Sequence, residues 1–144
     1  MDGAPPIEWR VHVRSSPEAA YEAWTKDAGR SRFWAEESRS GPGGFELRFV
    51  NGQALAVEVV EAMPATRLVF RYFGGSTVTL AFEPDGRGGC DLYLREEGVP
   101  AEEHLENYAG WVSVLLAFKA AVDFGIDLRA HDPKRTWERR HVDC

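Results

Sequence analysis

Residues 100–125, PAEEHLENYAGWVSVLLAFKAAVDFG, carry the period of one long helix and follow a run of short alternating segments. Pro100 opens it, Glu102 and Glu103 complement the helix dipole in the first turn, and Gly125 supplies the stop. At about 1.5 Å per residue it would span roughly 36 Å, enough to cross a whole sheet. The helical period places Leu105, Tyr108, Trp111, Val112, Leu115 and Val122 in one broad apolar arc, with Glu103, Glu106, Gly110 and Ala117 opposite. A curved antiparallel sheet ending in such a helix can hold an apolar cavity between the two. The order of elements therefore points to ligand binding.

Working backward from the helix, every signal is strand and turn. Ile7, Trp9, Val11 and Val13 alternate with Glu8, Arg10, His12 and Arg14, the period of a strand with one wet face. Ser15-Ser16-Pro17-Glu18 supplies an N-cap serine, a proline at the first helical position and an early acid. Two short helices are expected before Trp34, then a loop through Gly41-Pro42-Gly43-Gly44. Strands follow over about 45–49, 54–61, 67–73, 77–83 and 90–96, with Asn51-Gly52 read as a type I′ hairpin turn. Six strands result. Their short connections favour pairing of sequence neighbours, which defines an α+β class with an antiparallel meander.

The chain has 144 residues, 44% hydrophobic and 28% charged, which fits one globular domain over 1–144 with a core at about 7–128 and a tail at 129–144. Its net charge of −6 repels phosphate backbones, so no nucleic acid partner is expected. The basic residues Arg129, Lys134, Arg135, Arg139 and Arg140 are interleaved with acids and read as a solvated face. Met1–Trp9 lacks the apolar run of a signal peptide, so a cytoplasmic location is expected, with Cys90 and Cys144 as free thiols. Residues 111–126 contain Lys119 and Asp123 and fall short of a membrane span, so no membrane insertion is expected.

Several short stretches carry a family resemblance: Ala23-Trp24-Thr25, Phe33-Trp34, Gly43-Gly44-Phe45-Glu46-Leu47, Glu58-Val59-Val60-Glu61, Arg67-Leu68-Val69-Phe70, and Gly110-Trp111 with Leu115. In this order and spacing, from about Ile7 to the end, the chain resembles the START-like helix-grip superfamily, in the branch named for the activator of heat-shock protein 90 ATPase. The resemblance implies a helix-grip fold, a curved six-stranded sheet wrapped on the long C-terminal helix. It implies fold more than activity. The chaperone cofactors of that branch carry a separate N-terminal domain, whereas six residues precede the first strand here. Small single-domain members resemble ligand-binding or stress proteins instead.

The candidate site is the wall of the gripped space. From the sheet it takes Phe49, Phe70, Tyr72, Leu80 and Phe82, and from the segment after strand one it takes Trp24, Phe33 and Trp34. The long helix adds Tyr108, Trp111, Leu115 and Lys119. These residues either enclose a cavity for a lipid-like or aromatic molecule or form a filled core. Tyr72 and Tyr108 bring hydroxyls that orient a ligand or bond the backbone. Lys119 either meets an anionic group or turns outward to pair with Asp123.

No Gly-x-Ser-x-Gly elbow, His-Glu-x-x-His or Cys-x-x-Cys occurs, so no enzyme, cofactor or metal is expected. The leading expectation is a non-enzymatic domain binding an apolar small molecule. A protein-interaction module of the chaperone-cofactor type is the alternative. A cyclase or hydratase-type enzyme is the second alternative, with Tyr72, Tyr108, His104 and Lys119 as the polar groups on offer.

Overall fold

The computed structural model describes residues 4–144. The reading of Met1–Trp9 as free of an export signal lies partly outside that range. Strand β1 (Ile7–Val13) is followed by α1 (Pro17–Thr25) and α2 (Asp27–Arg30). Next come β2 (Glu37–Gly41), β3 (Gly44–Arg48), β4 (Ala54–Met63), β5 (Arg67–Arg71), β6 (Thr77–Pro84), β7 (Cys90–Glu97) and the long helix α3 (His104–Phe124). All seven strands form one antiparallel sheet in the order β1-β7-β6-β5-β4-β3-β2. Strand β1 closes against β7, the last strand, at one edge.

The sheet has one strand more than expected. Strand β2, Glu-Ser-Arg-Ser-Gly, has no apolar alternation because it lies on an edge with most of its residues exposed. Pairing and polar anchors hold it in place. It pairs with β3 across a tight turn, and Ser38 and Ser40 bond to the Asp27 carboxylate. Burial opposes ionisation of Asp27, yet the Ser40 N–H, both serine hydroxyls and Arg30 hold it at about 2. Arg30 is buried, donates to Ser38, Ser40, Asp27 and the Trp24 carbonyl, and lies 3.8 Å over the Phe45 ring. At Gly44 a side chain is impossible, since an added Cβ would lie 1.9 Å from the Val57 carbonyl oxygen on β4.

The turn at Asn51-Gly52 also differs from the expected two-residue I′ form. Only Gly52 is left-handed there, and its N–H bonds to the Phe49 carbonyl, while the Asn51 side chain accepts from the Gln53 N–H. That side-chain bond substitutes for the positive φ a I′ turn would demand of Asn51. Further along, the register of β4 against β5 shifts between Val59 and Glu61. This irregularity divides β4 into a part paired with β3 and a part paired with β5, and such bulges bend a sheet.

Helix α1 starts as its sequence dictates, with the Ser16 hydroxyl accepting from the Ala19 N–H and Pro17 in the first turn. Helix α3 begins later than Pro100, because Ala101–Glu103 form a separate 3₁₀ turn, and it ends on the left-handed Gly125. Its orientation about its own axis differs from the expected arc. Trp111, Leu115, Ala117, Phe118 and Ala121 are buried, whereas Leu105, Tyr108, Val112 and Leu116 are exposed. The helix is apolar on most of its sides, so hydrophobic period alone does not choose the side that packs. Among the described residues, no helix is long and apolar enough to cross a membrane.

Candidate functional site

The space between α3 and the sheet is filled at one end and open at the other. Under α1 and the C-terminal half of α3, Trp24 packs against Phe33 at 4.8 Å and Phe118 at 5.3 Å between ring centroids. Trp24, Phe33, Phe70, Leu80, Phe82 and Leu115 are all buried there. They form solid core, close-packed as interiors normally are. Under the N-terminal half of α3 lies a cavity of about 330 Å³, walled by Trp34, Phe49, Tyr72, Phe73, Trp111 and Trp137. Trp34 sits where the two halves meet, 4.9 Å from Trp24 and 6.0 Å from Tyr72.

Charged side chains (Glu36, Glu103, Glu106, Glu138 and Arg129) also line this end, and among the aromatic rings a smaller set of polar groups is fixed. The Trp34 Nε1 donates to the Tyr72 hydroxyl at 3.2 Å, which leaves the Tyr72 proton available to a ligand. Burial raises the Tyr72 phenol, the Trp34 bond opposes that rise, and the nearby charge of Glu96 adds to it. The Trp111 Nε1 donates to Glu96 Oε1 at 2.8 Å, and the Ser76 hydroxyl donates to Glu96 Oε2 at 2.5 Å. Glu96 is fully buried. The Nδ2 of Asn107, which also lines the cavity, is buried with no partner among the described residues.

The C-terminal tail forms one wall of this end: of its basic residues Arg129 is drawn in, while Lys134, Arg135, Arg139 and Arg140 are exposed, as expected of a solvated basic face. Arg129 has a side chain only 5% exposed and donates to the carbonyls of Ser31 at 2.7 Å and Ala35 at 2.8 Å. Its guanidinium also bonds both oxygens of Asp127. His131 bridges Glu36 at 2.5 Å and Asp127 at 2.7 Å. The bond to Asp127 raises His131 above its ordinary 6.5; partial burial opposes this and Glu36 adds to it. Beyond these anchors Trp137 lies against Gly110 of α3, and Glu138 accepts from Asn51 Nδ2 at 2.6 Å.

Of the twelve residues read from sequence as cavity wall, four line it: Trp34, Phe49, Tyr72 and Trp111. Tyr108 lies outside, packed at a tilt against Trp9 with ring centroids 4.6 Å apart, where the Trp9 indole donates to the Tyr108 carbonyl at 3.0 Å. Lys119 turns away from the cavity to the His12 carbonyl and lies 3.6 Å from Asp123. His104, the histidine singled out as an acid or base, bonds the Pro5 carbonyl at 2.9 Å.

Sequence reasoning missed Glu96 and the tail. A signal for Glu96 was present, since Cys90, Leu92, Leu94 and Glu96 share one strand parity and all face inward. The tail offered only Trp137, one aromatic in a polar segment.

A long helix laid across a curved antiparallel sheet, with an aromatic cavity at one end, defines the START-like helix-grip class. Residues 14–123 match the family described as activator of Hsp90 ATPase homolog 1-like protein, and the chain belongs to that family. Among solved structures, the protein SSP2350 of Staphylococcus saprophyticus is 20% identical with a TM-score of 0.75, covering 88% of this chain and 97% of its own. Aha1 of Colwellia psychrerythraea, described as a dimer, is 22% identical with a TM-score of 0.73, covering 85% and 98%. BH1534 of Bacillus halodurans is 17% identical with a TM-score of 0.71, covering 85% and 100%. At these identities the likeness is one of fold. Among curated proteins, none matches the sequence. The tail from Arg129 onward lies beyond the family match, so that wall of the cavity is built by residues outside it.

Proposed function

We propose that the chain is a non-catalytic binding domain that holds a small, mainly apolar aromatic molecule between the N-terminal half of α3 and the sheet. The observation that carries this reading is the cavity itself, about 330 Å³ and walled by aromatic side chains. That volume lies at the small end of ligand sites, which run from roughly 300 to 1,000 Å³, and suits a compact molecule of two or three rings. A few placed polar groups among apolar walls are the usual composition of such sites, and Tyr72 and Asn107 provide them. The polar side chains considered for catalysis elsewhere, His104 and Lys119, are engaged with backbone carbonyls away from the cavity. They support binding over chemistry.

Fluorescence of the neutral probe N-phenyl-1-naphthylamine tests the reading. The wild-type chain is expected to bind it saturably and to melt at a higher temperature in its presence. Gly110 lies in the cavity wall against Trp137, with room for a Cβ, whose nearest neighbour would be the Trp137 ring at 3.9 Å. Gly110→Phe should therefore fill the space and abolish binding, while Gly110→Ala should bind and gain about 0.5–1 kcal/mol of stability. Equal probe binding by Gly110→Phe and wild type would place the ligand elsewhere and sink the reading.

A further inference from the structure

The geometry points to a specific ligand class for this cavity: a compact aromatic cation, such as an arylalkyl ammonium, rather than a fatty or aromatic carboxylate. This inference rests on the proposed binding function and deepens it. Four carboxylates line the space, Glu36, Glu103, Glu106 and Glu138, against the single guanidinium of Arg129. Arg129 is already committed to two carbonyls and to Asp127, so it offers an incoming anion no free donor face.

Glu103 and Glu106 have an ordinary role at the start of a helix, where acids offset the half-positive dipole. Two such acids exceed that offset. Moreover, Glu36 comes from the segment after α2 and Glu138 from the tail, so the carboxylates come from three parts of the chain, Glu36 being already bridged to His131. Behind the aromatic wall lies a fifth carboxylate on a fourth element, Glu96 of β7. Both of its oxygens accept hydrogen bonds, and among the described residues it pairs with no cation.

The walls suit the same ligand. The Tyr72 and Trp111 ring centroids are 5.0 Å apart at an interplanar angle of 33°, and Trp137 of the tail lines the same cavity. Indole and phenol faces attract cations through their quadrupoles, and the attraction grows when the cation is desolvated. The unpartnered Asn107 Nδ2 is a donor and so asks for an acceptor atom on the ligand in addition to its cationic group. A carboxylate ligand would instead meet Glu103, Glu106 and Glu138 with no free guanidinium to offset them.

Three probes of matched shape separate the possibilities by calorimetry at low ionic strength: (2-naphthylmethyl)ammonium, 2-naphthalenemethanol and 2-naphthoate. The ammonium is expected to bind about tenfold or more tightly than the alcohol, with the naphthoate weakest of the three. In Glu103→Gln/Glu106→Gln, two side chains near the surface whose change spares the core, the gap between ammonium and alcohol should narrow. Naphthoate binding as tightly as the ammonium, or a gap unchanged in the double variant, would overturn the inference and leave the cavity reading intact. Failure of all three probes to bind would overturn both.

Discussion

At the scale of single residues, Glu96 is the least conventional feature of the molecule. Interiors rarely keep an acidic side chain without a basic partner, and this one is held only by an indole N–H and a hydroxyl. Glu96→Ala would leave both donors buried and unpaired, which should cost about 2–4 kcal/mol. Urea denaturation measures this, with Glu96→Gln as the milder case because Trp111 keeps an acceptor. A loss near zero for Glu96→Ala would mean that water satisfies the donors and that Glu96 does not fix Trp111 in the cavity wall. Residue identities were legible in the sequence only where pattern and chemistry agreed. Tyr72 and Trp111 followed from their places on inward faces, whereas Glu96 obeyed the strand period but broke the expectation that inward means apolar. Lys119 shows the converse, a charge on an apolar helix that reaches outward along its stem to a backbone carbonyl.

At the scale of elements, two placements decided the site, and sequence period determined neither. Helix α3 is apolar around most of its circumference, so its azimuth comes from the bulk of Trp111, Leu115 and Phe118 packing on the sheet and on Trp24. That rotation sends Tyr108 out to Trp9 and brings Gly110 and Asn107 to the cavity. The tail is positioned by long-range polar anchors, chiefly Arg129 and His131, which leave no periodic trace in sequence. Its clasp should respond to pH. His131 is raised in the folded chain, so its contribution is complete below the ordinary value of 6.5 and is lost as pH rises through the raised value. Asp127 works in the opposite direction. Burial disfavours its charge, but Arg129 and His131 hold it at about 2, so its contribution is complete above the ordinary carboxylate range and is lost as pH falls toward about 2. The clasp should therefore be tightest in mildly acidic solution and loosen above neutrality. Hydrogen exchange at the Ala130 amide, which bonds the Asp143 carbonyl, reads this directly. Faster exchange at higher pH, beyond the intrinsic base catalysis and absent in His131→Asn, is expected. Identical protection at pH 6 and pH 8 after that correction would contradict the clasp.

At the scale of the whole molecule, the class of fold was legible because three signals agreed: strand alternation, glycine turns and a long terminal helix. The seventh strand was not, since β2 is held by pairing and by Asp27 and leaves no apolar alternation. The cavity was legible as a space but not as a shape. Aromatic residues at inward positions pack or enclose with equal ease, and only the folded arrangement separates the solid end, around Trp24 and Phe118, from the open end, around Tyr72 and Trp111. The five tryptophans sample these regions separately: Trp24 in the core, Trp9 outside, and Trp34, Trp111 and Trp137 around the cavity. An ¹⁵N NMR titration of the indole N–H resonances with N-phenyl-1-naphthylamine is the most direct test of cavity binding. Saturable shifts of the Trp34, Trp111 and Trp137 resonances, with Trp9 unmoved, are the expected result. Binding that shifts Trp9 while leaving Trp111 and Trp137 in place would contradict it.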